Sequence, residues 1–359
     1  MSLARDIADL GSSATSLDTV GSNLLINGAM VLDQRNSASA VTPSDGNYTL
    51  DRFHVDASAA SKFSVQQVTD APIGFSNSLK VTSLSAYSVS SSDFLDIQQP
   101  IEGFNSAQLN LGTANAKVMT LSFYVKSSLT GTFGGAFSNS AYNRSYPFTY
   151  TISAADTWER KTIKLTGDTS GTWIGSTNGI GLRVVWSMGA GSGRINTAGA
   201  WVGSLALGAT GQTNVVATNA ATWQMTGCQL EVNEVTDFEH EPYSVTLAKA
   251  QRYYERWDFP DSGDYTTVMM YNESTSLAIG ALNCTVYKRS NPTFSATASS
   301  WVAVSTGSSG TVVSLTANNL EVWGCRLEIT NSNTTLVDGG AAYLRSLNSG
   351  CHMALSAEL

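Results

Sequence analysis

The sequence predicts an all-β protein: a large antiparallel jelly-roll-like β-sandwich followed by a smaller C-terminal β-sandwich. Three observations carry this. Charged residues make up only 13% of the 359 residues, and Ser, Thr, Asn and Gly take their place; an ordinary soluble domain has roughly 25%. Hydrophobic residues still reach 42% and eight are Trp, which supplies apolar surface for a core and argues against disorder. Apolar residues recur at period 2 in short runs, and Gly-, Ser- and Asn-rich connectors such as 167–171 separate them.

The runs come in order along the chain. Met119, Leu121, Phe123 and Val125 alternate with Thr120, Ser122, Tyr124 and Lys126, which gives a strand with one apolar face. Ile163 and Leu165 share a face in the segment that Trp158 opens. Ile180, Leu182, Val184 and Trp186 alternate with Gly181, Arg183, Val185 and Ser187, so Trp186 is expected in the core. Cys228, Leu230 and Val232 point one way while Gln229 and Glu231 point the other. Thr246 to Arg256 is rich in helix formers between Pro242 and Pro260, and Leu247, Ala250, Gln251 and Tyr254 share a face; a linker helix is expected there. Beyond it, Cys325, Leu327 and Ile329 alternate with Gly324, Arg326 and Glu328. Gly324 to Ile329 echoes Gly227 to Val232, through a similar core strand in each domain or through chance recurrence of a strand pattern.

At about 100–200 residues per domain, this length accommodates two cores. The expected division is an N-terminal segment 1–22, a jelly roll 23–245, a linker helix 246–256 and a C-terminal β-sandwich 257–359. In the first segment Leu3, Ile7, Leu10, Ala14 and Leu17 fall at heptad spacing, interrupted by Gly11-Ser12-Ser13. Two heptads are marginal as an isolated helix. The stripe reads as an anchor or oligomerisation segment, helical or extended, or as a frayed tail.

Composition also narrows the partners. Net charge is −8 and no basic run is longer than a pair such as Lys288-Arg289, so nucleic acid is not an expected partner. No run of about 18 apolar residues is present, and membrane insertion is not expected. Met1 to Asp6 carries two early charged positions and no apolar leader core, so a signal peptide is not expected. Cys228, Cys284, Cys325 and Cys351 form no C-x-x-C pair and there are three histidines; no metal and no cofactor is expected, and the thiols read as free and mostly buried.

Motifs of chemistry are scarce. No phosphate-binding loop, G-x-S-x-G elbow or H-E-x-x-H occurs, and His54, His240 and His352 stand apart. Asp93, Asp96 and Glu102, and Asp237, Glu239 and Glu241, are close enough in sequence to be candidates for glycoside cleavage; both groups also read as turn and strand-end acceptors. Asp51-Arg52 reads as a loop-fixing ion pair. The aromatics are more informative. An exposed Trp ring stacks on the C–H face of a sugar while neighbouring amides bond its hydroxyls. Trp173, which follows Gly171-Thr172 in a loop, is the candidate glycan contact. No catalytic residue is expected, and the protein is not expected to be an enzyme.

A resemblance adds to this reading. Asn23-Leu24-Leu25-Ile26-Asn27-Gly28-Ala29-Met30 with Gln34-Arg35 is similar to the opening of a widespread group of bacteriophage virion proteins. The likeness continues at Tyr48 to Phe53, where the group usually has Asp-Arg-Trp, and at Val118 to Lys126. It is strongest at Thr226-Gly227-Cys228-Gln229-Leu230-Glu231-Val232, Asp237-Phe238-Glu239, Pro242-Tyr243 and Gln251-Arg252-Tyr253-Tyr254, and Ala357-Glu358-Leu359 ends similarly. Glu241 departs from it, since an arginine is common there. The resemblance implies a carbohydrate-binding-module-like jelly roll at the virion surface. The implied role is a tail fibre or receptor-binding adhesin that contacts host glycans, with capsid decoration through protein–protein contacts as the alternative and a polysaccharide depolymerase behind both. Implied partners are other virion proteins, further copies of the chain as a homotrimer, and a host surface glycan. Synthesis in the host cytoplasm is implied as well.

Overall fold

Alternation along a strand sorts side chains onto two faces, and two sheets that meet through their apolar faces make a core. The computed structural model describes residues 23–263, 265–297, 301–305, 308–331 and 336–359. The stripe Leu3, Ile7, Leu10, Ala14 and Leu17 therefore lies outside the described residues. The chain divides into two compact units, 1–246 with Leu359 and 247–358.

In the first unit the strands are β1 (Asn47–Tyr48), β2 (His54–Ala57), β3 (Phe63–Val68), β4 (Ser78–Ser83), β5 (Phe94–Glu102), β6 (Met119–Ser127), β7 (Gly131–Ser138), β8 (Ser145–Ile152), β9 (Glu159–Leu165), β10 (Ile180–Ala190), β11 (Ile195–Asn196), β12 (Gly208–Ala209) and β13 (Thr222–Val232). They form a six-stranded sheet β1-β2-β5-β10-β7-β8 and a five-stranded sheet β3-β4-β13-β6-β9. Pairing in both is antiparallel. This is the expected jelly-roll-like sandwich. A short helix α1 (Gly103–Ser106) and a 3-10 turn (Ala107–Leu109) follow β5.

Aromatic rings join the two sheets. Trp186 is fully buried, as its place in the alternation requires, and meets Phe123 edge-on at 6.0 Å and 85°. Phe123 in turn meets Tyr150 at 5.1 Å and 89°, and the buried Trp223 Nε1 donates to the Tyr150 hydroxyl at 3.0 Å. The last bond crosses from β13 to β8 and satisfies a polar group that burial would otherwise penalise.

The segments that resemble virion proteins are scaffold. Asn23 donates to Cys228 O at 2.9 Å and accepts from Leu25 N and Leu230 N, both at 3.0 Å. Asn27 bridges Leu32 and Asp51 O. Asp51 accepts from Gln34 N and Nε2, with Arg35 at 3.9 Å, while Arg52 Nη2 reaches Pro100 O at 2.7 Å. Both residues are buried and tie the loop to neighbouring segments. In β13 the register shifts between Thr226 and Gln229, and Gly227 sits at φ +61, where a Cβ would meet Phe75 Cζ at 2.7 Å.

The expected linker helix 246–256 is shifted. Helix α2 runs from Tyr243 to Gln251, and Tyr254–Phe259 is strand β14. The aromatic run Tyr253-Tyr254 favours strand, and pairing with β22 (Cys351–Ser356) outweighs the helical pattern. Glu255 there is buried in an ion pair with Lys288 at 2.6 Å.

In the second unit six strands close into an antiparallel barrel, β15-β16-β20-β19-β18-β21. They are β15 (Tyr265–Asn272), β16 (Leu277–Asn283), β18 (Trp301–Ser305), β19 (Ser308–Glu321), β20 (Gly324–Asn331) and β21 (Ala341–Ser346). A three-stranded sheet β14-β22-β17, with β17 at Thr293–Ala296, shares its core. The unit expected as a plain sandwich is thus more tightly closed, with a barrel in place of one open sheet, a closure that leaves no free edge. No disulfide joins the four cysteines; Cys228, Cys325 and Cys351 are buried.

Candidate functional site

Trp173 lies in the first unit, half-buried rather than fully exposed, on the wall of a cleft of about 270 Å3. Three segments build most of the cleft, and Gly181 of β10 completes its lining. One is α1 with its 3-10 turn, which brings Ser106 and Ala107. The second is the turn 110–113, with Asn110 in the left-handed region at φ 53, and the third is 173–175. Leu111 and Ile174 are the larger apolar walls.

The Trp173 ring is held from several sides. Its Nε1 donates to Ser170 O at 3.1 Å, and its plane stands at 88° to Trp201 at 5.4 Å. Trp201 donates to Thr166 O at 2.8 Å and packs edge-on to Tyr146. Gly112 at φ +80 lies so close that a Cβ there would come within 2.9 Å of Trp173 Cδ1. Beneath the loop, Arg144 forks onto the buried Asp168, with Nε–Oδ2 at 2.6 Å and Nη2–Oδ1 at 2.7 Å. Asp168 also accepts from Ser170 N at 3.0 Å, and its carbonyl takes Gly112 N at 2.7 Å. A bidentate pair of this kind fixes orientation as well as adding energy. The ring is therefore a preset platform and not a mobile side chain.

A second polar group sits on the face of the six-stranded sheet away from the core. Asp56 and Asp96 are directly paired residues of β2 and β5. Asp56 accepts from Gln98 Nε2 at 2.5 Å and the Tyr142 hydroxyl at 3.2 Å, and His54 Nδ1 lies 3.3 Å away. Asp96 is 1% exposed and neither of its oxygens meets a donor among the described residues. Burial, then the charges of Asp56 and Asp45, push its pKa well above the usual carboxylate range, against the opposing pull of Arg183. Arg183 stacks on the Tyr142 ring at 4.1 Å, so this group is covered rather than open.

The carboxylates singled out in the sequence do not assemble. Asp93 and Glu102 lie at opposite ends of the extended β5, about 30 Å apart, beyond the roughly 5–9.5 Å of a glycosidase pair. Asp93 accepts from Tyr87, Ser90 and Ser58, and the Tyr87 hydroxyl bond above all brings its pKa down to about 2. Glu239 accepts from Asn23 N, Glu241 from Thr246 Oγ1, and Asp237 faces Arg160. The histidines are likewise engaged locally: His54 with Asp56, His240 between Phe75 and Phe238, His352 with Thr297 Oγ1 at 2.9 Å. Among the described residues no group of three His, Cys, Asp or Glu side chains is arranged for a metal, and no helix is long and apolar enough to cross a membrane.

Asn110, Leu111 and Ile174 escaped the sequence reading, although Asn110-Leu111-Gly112-Thr113 carries the composition of a tight turn. The facing of Asp56 and Asp96 depends on strand register, which no local pattern reveals.

No protein-family model and no curated protein matches the sequence. Solved structures do. The enzymatically active domain of bacteriophage CBA120 tailspike protein 4 is similar at 12% identity and a TM-score of 0.32, covering 58% of this chain and 21% of that one. The chain thus matches about a fifth of the tailspike's length. A putative sugar-binding protein from Bacteroides thetaiotaomicron aligns at 10% identity, TM-score 0.36, over 59% of this chain and all of its own. A family 11 carbohydrate-binding module from Clostridium thermocellum, in complex with a mixed-linked tetrasaccharide, aligns at 10% identity, TM-score 0.29, over 57% of this chain and 100% of its own.

Proposed function

We propose that the protein is a non-catalytic glycan-binding component of a virion surface, a tail fibre or receptor-binding adhesin whose first unit holds the sugar at Trp173. The observation that carries this is the cleft itself: an indole fixed by Ser170, Trp201 and Gly112 beside amide and hydroxyl side chains. Stacking supplies affinity, and the Asn110 carboxamide supplies orientation. At about 270 Å3 the cleft is near the small end of ligand pockets, roughly 300–1,000 Å3, and suits one or two sugar units. Binding per site is then weak, and presentation in several copies, a trimer in this reading, raises avidity. The virion setting rests on the segments that resemble phage proteins. A glycan array probed with the full chain tests the binding; signal on no glycan would overturn it. An antibody to residues 257–359, viewed on particles by electron microscopy, tests the setting, with label expected on fibres or at the tail tip.

One observation favours decoration through protein contacts instead. On the outside of the barrel Met269 pairs with Tyr343, and Tyr271 lies two residues along β15; they are 69%, 37% and 54% exposed. Adjacent exposed apolar side chains of this kind mark contact surfaces. Label spread over the head would favour that reading.

A further inference from the structure

We propose that the Trp173 cleft selects a pyranose that carries an acetamido group, an N-acetylhexosamine. The inference rests on the glycan-binding reading above and names its ligand class. Charge comes first. None of the side chains that line the cleft is ionisable. An acidic or sulfated sugar would leave its hydration shell and find no counter-charge. The ligand is neutral.

Apolar surface comes next. Trp173 matches the C–H face of any pyranose, but Leu111, Ile174 and Ala107 add apolar wall beside the ring. A plain hexose presents hydroxyls around its rim, and a hydroxyl set against these side chains loses its bonds to water without replacement. The methyl of an acetamido group gains from the same contact.

The polar partner completes the match. Ser106 Oγ gives its one hydrogen to Glu102 O, and Thr113 Oγ1 gives its own to Asn110 O at 2.7 Å, so neither hydroxyl has a donor left for a ligand. The exposed Asn110 carboxamide makes no hydrogen bond among the described residues. A carboxamide offers a donor and an acceptor together, which is the complement of the N–H and C=O of an acetamido group.

Calorimetric titration of the full chain with N-acetylglucosamine, N-acetylgalactosamine and glucose tests this. At least one of the N-acetyl sugars is expected to bind roughly ten-fold tighter than glucose, from one buried methyl and one added hydrogen bond. Asn110→Gly keeps the left-handed backbone available and removes the carboxamide. It should abolish most of that preference, bringing the N-acetyl sugars to within about two-fold of glucose in the same variant. Equal binding of glucose and both N-acetyl sugars would overturn the inference and leave the glycan reading standing. No binding of any sugar, with an empty glycan array, would overturn both.

Discussion

Two strands carry nearly the same six residues and use them differently. Gly227-Cys228-Gln229-Leu230-Glu231-Val232 ends β13, and Gly324-Cys325-Arg326-Leu327-Glu328-Ile329 opens β20. In both, the alternate apolar residues enter a core: Cys228 and Leu230 are fully buried, and so are Leu327 and Ile329. The other faces diverge. Gln229 and Glu231 are buried at 0% and 1% beneath the loop that follows, where Gln229 takes Glu239 N and donates to Asp237 O, and Glu231 accepts from Thr236 N and Oγ1. Arg326 and Glu328 face outward from the barrel and pair with each other at 2.8 Å, 39% and 24% exposed. Alternation determines which residues enter the core. What lies over the opposite face determines whether a polar side chain there is a structural pin or a solvated charge.

The comparison is sharpest where the two strands should agree. Leu230→Ala and Leu327→Ala each remove a fully buried side chain, and each should cost its own unit about 2–5 kcal/mol. Denaturant unfolding followed by hydrogen exchange reads the two units separately; a loss below about 1 kcal/mol in either would break the equivalence.

The strands should part at the next position. Glu231→Ala leaves Thr236 N without its acceptor and Thr236 Oγ1 with Asp237 O alone, at a cost of about 1–3 kcal/mol. Glu328→Ala removes one partner of an exposed pair and should cost less than about 1 kcal/mol. Equal losses in the same assay would mean that the covering loop contributes nothing.

Asp96 extends the contrast to a buried acid without donors. Its folded pKa is raised, so between the ordinary carboxylate range near 4 and that higher value the folded state binds more protons than the unfolded. The stability this proton confers is full at low pH and is lost as pH rises through the folded pKa. Asp96→Asn removes the titration. The variant should gain on wild type in melting temperature toward pH 8, with the gap closing near pH 4. Parallel melting curves from pH 4 to 8 would contradict a buried neutral acid.

Much of the fold was legible because period-2 alternation is local. The strand at 119–127 and the burial of Trp186 follow from it. Helix α2 was misplaced because Tyr254 satisfies a helical face and a strand equally well, and only β22, about a hundred residues away, decides between them. Barrel closure was invisible for the same reason: pairing of β15 with β21 is not encoded in either strand alone. At the cleft, the loop position of Trp173 was legible from Gly171-Thr172, but its half-burial depends on Trp201 and Gly112, which only the folded chain brings to it. The resemblance to virion proteins pointed at residues that prove to be pins, Asn23, Asn27, Gln229 and Glu231, rather than at the cleft.

The glycan reading stands or falls on Trp173. The direct measurement compares wild type with Trp173→Ala for binding to whichever glycan gives the strongest array signal, with thermal unfolding of both proteins alongside. The ring is half-buried and lines the cleft, so the expected result is loss of most of the binding with the fold intact. Full binding by a folded Trp173→Ala protein would place the sugar elsewhere and contradict the account.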